Sequence, residues 1–340
     1  MTRRQLVNFA LSAGLGGVFL WLALKDVDFS GFWKKILNIS APYFILFLIL
    51  HLIVHWFRVM RIRILLKPLG GIGDYNCFVA GSLGCFGLTV LPFRLGDLVR
   101  PAVIKQKESI SMTSALACVA IERILDGIVV SLFLFIALFW VAGGIEISSL
   151  IINAAYAGFG LFLFGLAFLI FAFKRKDTAA AIVRKGVGIV SKKVAGKLEE
   201  LTIKFVEGLL VFPERKMLAH YLFETVIYWA VNAMVNVALF YACGLHFEHI
   251  IAAGFIVLGV QVLGVMIPAA PAGIGPFEFF TMAALALFLP QDVVNSVGIV
   301  YTTISHTMLI LIQILFGALF IFAGHIPFIA LVERAKKEII

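Results

Sequence analysis

The sequence predicts an all-α fold, a polytopic transmembrane helical bundle built as an inverted repeat with two re-entrant broken helices. Three observations lead there. Hydrophobic residues make up 62% of the 340 and charged ones only 14%, whereas soluble domains are nearer half apolar and a quarter charged. The apolar residues fall into runs long enough to cross the roughly 30 Å hydrocarbon layer as helix. These runs do not alternate with polar residues, which excludes a membrane β-barrel, and two of them are short, rich in glycine and closed by proline.

In chain order, Arg3-Arg4 followed by Leu6 to Leu24 has the outline of a signal peptide. No small-residue cleavage site follows, so a retained first span is expected. Further unbroken spans are read at Pro42 to Met60, Met112 to Trp140, Leu150 to Phe173, Met217 to Cys243 and Ser296 to Ala323. Tyr75 to Leu91 and Ile250 to Ile267 are slightly short for a crossing and end at Pro92 and Pro268. They are read as re-entrant segments, because non-helical backbone survives at membrane depth only where protein or a wet cavity satisfies it. The expected organisation is a first membrane repeat at 1–173 with its re-entrant segment at 75–91, then a linker at 174–216. A second repeat at 217–325, with its re-entrant segment at 250–267, and a tail at 326–340 complete it.

The net charge is +9, and in a membrane chain its meaning lies in where the basic residues fall rather than in nucleic acid, which is not expected as a partner. With the N- and C-termini cytoplasmic and each short segment entering and leaving on one side, 24 of the 28 Lys and Arg residues lie inside. Only Lys25, Lys34 and Lys35 fall outside, and Arg123 falls within a span. Arg58, Arg61, Arg63 and Lys67 form a basic cuff at a cytoplasmic helix end, the usual topology anchor. In this arrangement the two short segments open from opposite faces, as an inverted repeat requires. Phe29, Phe32, Trp33, Ile36 and Leu37 have helical spacing and predict a short interfacial helix. The linker repeats apolar residues at steps of three and four among eleven basic ones. It is either a basic amphipathic arm on an anionic leaflet or a hairpin that joins two halves. Cys77, Cys85, Cys118 and Cys243 lie in apolar runs without a C-x-x-C pair, so neither a disulfide nor a metal site is expected.

Two motifs break the helices. Pro92-x-Arg94-x-Gly96-Asp97 and Pro271-x-Gly273-x-Gly275-x-x-Glu278 share P-x-x-x-G followed closely by an acid, and a long span follows each. Paired broken segments in corresponding halves point to a transporter site at the repeat interface. Pro and Gly stop a helix and free N–H groups for anions and carbonyls for cations. A phosphate suits such an end, and Arg94 and Arg100 can hold it in bidentate fashion where Lys cannot.

Charges inside a bilayer cost about 2.5 to 3.5 kcal/mol each at a helix centre, and this chain has several. Glu122, Arg123 and Asp126 lie in one span, with the two acids a turn apart, and Asp97 and Glu278 lie in the broken motifs. Each either lines a substrate path or pairs internally. His306 sits in the last span at a place loosely matching Arg123, and is either a titrating group or a satisfied core histidine. His51 and His55, one turn apart, lack a third ligand for zinc. No G-x-S-x-G, H-E-x-x-H or P-loop occurs, so no enzyme and no cofactor is expected.

The residues Arg94-x-Gly96-Asp97 and Pro271-x-Gly273-x-Gly275-x-x-Glu278 resemble the flippase-like membrane domain of bacterial lysyl-phosphatidylglycerol synthases and its stand-alone relatives, over nearly the whole chain. The resemblance implies a multi-pass protein of a bacterial or archaeal cytoplasmic membrane that moves a lipid or a lipid-linked headgroup between leaflets. It also implies site residues at Arg94, Gly96, Asp97, Gly273, Gly275 and Glu278. Members tend to pair glycines where this chain has Ala272-Gly273, and the synthases carry a soluble aminoacyl-transfer domain after the membrane region. This sequence ends at Ile340, so synthesis of the modified lipid is not expected.

The leading expectation is therefore a flippase for an anionic or aminoacylated phospholipid or a polyprenyl phosphate. Arg94, Arg100 and helix-end amides would serve the phosphate, Asp97 and Glu278 an amine, an arginine or a proton, with Arg123 a further substrate-binding candidate and Glu122, Asp126 and His306 coupling or pairing. The alternatives are a non-transporting partner that presents lipid to a lipid-modifying enzyme, and an intramembrane enzyme acting on a lipid phosphate.

Overall fold

A computed structural model describes residues 3–91, 95–141, 149–175, 177–182, 214–267, 270–324 and 326–339. Arg94 and most of the 174–216 linker lie outside the described residues. The described residues form helices and no strand. Among the described residues five helices are long and apolar enough to cross a membrane.

Helix α1 (Arg3–Leu24) leads to a short α2 (Phe32–Leu37). Trp33 and Leu37 of α2 point outward, while Phe32 and Ile36 pack on the core, so the expected apolar stripe is divided between the bundle and the outside. Helix α3 (Ala41–Met60) runs on through α4 (Ile62–Leu66) as one apolar stretch to Leu69, nine residues beyond the expected end. Helices α5 (Asp74–Val90) and α6 (Gly96–Lys107) flank the first break, and α7 (Met112–Val141) and α8 (Ser149–Lys174) close the first half. The second half holds α9 (Arg215–Ala242), α10 (Ile250–Met266) and α11 (Pro276–Leu285) around the second break. Helix α12 follows at Gln291–Ala323, with a π-helical turn at Val294–Gly298, and α13 (Phe328–Ile339) ends the chain.

Both broken segments fold back on themselves. Along α6, Gly96, Val99 and Arg100 approach Leu88, Gly87 and Gly84 of α5 in that order, an antiparallel hairpin. In the second, Gly273 approaches Val265 and Phe280 approaches Gly264. The first helix of each hairpin has 17 residues, about 25 Å at 1.5 Å per residue. The returning helices have 12 and 10, too few for a crossing of roughly 30 Å. Gly96 has a reason to be glycine, because a methyl there would overlap the Leu88 backbone.

The packing is reciprocal. Helices α3 and α9 lie along one another, α5 packs on α12, and α10 packs on α7, so each hairpin leans on the long helix that follows the other. The core divides accordingly. One apolar cluster gathers α10 and α11 with Val129 to Val141 of α7 and Tyr228 to Ala242 of α9. The other gathers α5 and α6 with Met112 to Ile121 of α7 and Tyr221 of α9. The hairpins thus occupy opposite ends of the long helices, and their tips approach where α5 meets the 3-10 turn Pro271–Gly273.

Candidate functional site

Between the tips lies a cavity of about 240 Å³. Leu88, Thr89 and Leu91 bring the first hairpin to its wall, and Val265 to Ile267 with Ala270 to Gly273 bring the second. Its polar wall is made by α3, which presents His51, His55 and Arg58 along one face, by Arg123 of α7, and by Asn232 and Asn236 of α9. Among the described residues that line it there is no carboxylate.

The acids are nearby but occupied. Arg61, 1% exposed, donates both Nη groups to the carboxylate of Asp126 and reaches Glu122 at 3.3 Å and Thr225 Oγ1 at 3.3 Å. Its guanidinium lies over the Tyr228 ring at 4.4 Å, and Trp229 Nε1 donates to Asp126 at 3.1 Å. Arg100 of α6 donates to both oxygens of Glu122 at 3.1 and 3.0 Å and to the Val59 carbonyl at 3.3 Å. Arg123 donates to Asp97 at 3.0 Å. This network ties α3, α6, α7 and α9 together where an isolated charge would be costly, and each buried acid has an arginine within bonding distance.

The second hairpin is held differently. Gly275 has φ +98°, a region that glycine enters without a Cβ penalty, and it abuts the Gly16 backbone of α1. Its N–H donates to Glu278 Oε2 at 2.7 Å, closing the first turn of α11. Glu278 Oε1 lies 2.5 Å from His306 Nδ1 on α12. His306 Nε2 lies 3.0 Å from the carbonyl of Ala272, whose φ is +59°. The imidazole also stacks on Phe277 with centroids 4.2 Å apart.

The structure therefore distributes the expected residues over three places. Arg123 and Gly273 line the cavity, with Asp97 bonded to Arg123. Arg100, Glu122 and Asp126 sit in the ion network, and Gly96 packs inside the first hairpin. Gly275, Glu278 and His306 form the unit that holds the second hairpin. Arg94 lies outside the described residues.

Two arginines depart from the cuff expected at a cytoplasmic helix end. Arg61 is the hub of the ion network, and Arg58 lies on the cavity wall. Among the described residues Arg58 has no carboxylate within ion-pair distance; with the Gln313 amide turned, its Nη1 donates to Gln313 Oε1 at 3.2 Å. His51 Nδ1, Gln261 Nε2 and Arg123 Nε are buried on the same wall with no hydrogen-bond partner among the described residues. The signal for Arg58 was its spacing: His51, His55 and Arg58 fall at i, i+4 and i+7, on one helix face.

The chain is 26% identical over 271 residues to the glycosyltransferase AglD of Haloferax volcanii, an alignment covering 70% of this chain and 43% of that protein. It thus spans less than half of that relative's length. The model of the family described as the lysylphosphatidylglycerol synthase TM region matches residues 5–317. With nearly its whole length matched and its helices arranged as a membrane bundle, the chain belongs to that family.

Proposed function

We propose that this protein is a lipid flippase that carries an anionic amphiphile between leaflets by alternating access. The phosphate is held in the cavity where the hairpin tips meet. The observation that carries this reading is the sign of the wall: Arg58 and Arg123 line the cavity and no described lining residue is acidic. An arginine without a counter-ion at membrane depth is disfavoured by about 2.5 to 3.5 kcal/mol. A lipid phosphate entering the cavity supplies the missing charge, and the orphaned His51 and Gln261 nitrogens add polar partners. The short returning helices support hairpins that enter and leave the membrane on one side, from opposite faces, with the termini cytoplasmic. The reciprocal packing supports an inverted repeat whose halves rock about the cavity. The family's name concerns a synthase of a modified phosphatidylglycerol, and AglD is called a glycosyltransferase; an anionic lipid headgroup suits the first of these names directly.

The test is translocation in proteoliposomes with labelled phosphatidylglycerol, an aminoacylated phospholipid, a polyprenyl phosphate and a zwitterionic control. Anionic lipids are expected to cross and the control to stay. Arg58→Gln should slow the crossing about tenfold or more, the loss of a charge-assisted hydrogen bond. Absence of movement for every anionic lipid overturns the function, and recovery of chemically altered lipid favours an intramembrane enzyme instead.

A further inference from the structure

We infer that Glu278 and His306 form a proton-binding site that latches the second hairpin to α12, so that loss of one proton frees the hairpin. The inference deepens the transport reading by naming the ion to which it is coupled, and it rests on hydrogen-bond accounting at one imidazole.

His306 is 3% exposed and stands between two acceptors. A peptide carbonyl only accepts, so Nε2, 3.0 Å from the Ala272 oxygen, carries hydrogen. Nδ1 faces Glu278 Oε1 at 2.5 Å. The other carboxyl oxygen is committed as acceptor to the Gly275 N–H at 2.7 Å. One proton therefore lies between Nδ1 and Oε1. It belongs either to an imidazolium facing a carboxylate or to a carboxylic acid facing a neutral imidazole, and in both forms the pair carries no net charge. When that proton leaves, a lone pair and a carboxylate oxygen face each other, and turning the ring tautomer to restore one bond breaks the other. One of the two contacts that tie Glu278 and Ala272 to α12 is then lost.

What it ties down is under load. Ala272 occupies the left-handed region at φ +59° without being glycine, a conformation L-residues avoid. It lies on the cavity wall beside Gly273. Release of the ring thus frees a strained turn at the tip of the hairpin. The ionisable groups on the adjoining cavity wall are His51, His55 and Arg58 of α3, Arg123 of α7 and Tyr228 of α9. Helix α1 from Ser12 to Leu24 and helix α10 carry none, nor does the π turn, and α5 brings only Leu88 and Thr89 to the wall. Lys34 of α2 is exposed and Lys35 partly so.

Hydrogen–deuterium exchange of the whole protein in nanodiscs, without added substrate, tests the latch separately from transport. Exchange of peptides covering 270–278 is normalised at each pH to peptides from the middle of α7, which cancels the chemical rate. Between about pH 5 and pH 9, protection of 270–278 in the wild type should fall about tenfold or more as the bond to a charged group is lost. Glu278→Gln should abolish that dependence, because a carboxamide donates to Nδ1 and accepts from Gly275 with no titrating proton. His306→Phe should leave 270–278 weakly protected at every pH. A pH-independent wild type, or a Glu278→Gln profile equal to the wild type, overturns the latch and leaves lipid movement untouched. Absent lipid movement with the pH dependence intact overturns the transport reading alone.

Discussion

The two hairpins are cousins in backbone and opposites in how they are held. The first is pinned by Arg100 to Glu122, beside Arg61 with Asp126 and Arg123 with Asp97, three arginine–carboxylate pairs. Among the described residues the second has one ionisable anchor, Glu278 on His306, whose ring stands between a carboxyl oxygen and the Ala272 carbonyl. A bundle that must keep its shape while a cavity changes its exposure needs one fixed half and one releasable half. On the transport cycle proposed above, the first hairpin, with α3, α7 and α9, is the frame and the second hairpin the moving part.

Matched substitutions should break this contrast. Asp126→Asn removes one of the two charges that face buried Arg61 and is expected to cost roughly 3 kcal/mol, the low end for breaking a buried ion pair, because Glu122 still faces the guanidinium. A large drop in thermal unfolding temperature in detergent would register it. Gly275→Ala places a methyl against the Gly16 backbone at φ +98° and should cost about 1 to 3 kcal/mol. Limited proteolysis would report it as loosening of α1 from α11. Glu278→Gln keeps every hydrogen bond in the second latch and should change stability by less than about 1.5 kcal/mol. Its unfolding temperature should stay near that of the wild type. Equal losses for Asp126→Asn and Glu278→Gln would erase the distinction between frame and moving part.

Much of the frame was legible in the sequence. Helix α5 begins one residue before the expected Tyr75 and ends one residue before Leu91, and α10 starts at the expected Ile250, because proline and glycine stop helices through local sterics. The span that follows each break was legible from unbroken hydropathy. The role of Arg61 was not. A basic residue following an apolar run satisfies the positive-inside pattern whether it faces water or a partner, and its partners Glu122 and Asp126 lie 61 and 65 residues away on another helix. The cavity was equally hidden, since Asn232, Gln261 and Gln313 lie in three separate apolar helices that only tertiary packing brings to one wall. The acids in the broken motifs were conspicuous as charges, whereas their partners, Arg123 and His306, had to be found in space.

The central claim is that the cavity between the hairpin tips receives a lipid phosphate at Arg58. An experimental structure of the protein in nanodiscs containing phosphatidylglycerol tests it directly. Headgroup density with its phosphate in contact with the Arg58 and Arg123 guanidiniums, absent in an Arg58→Gln variant, is the predicted result. An empty cavity at saturating anionic lipid, or density that persists unchanged without Arg58, would contradict the account.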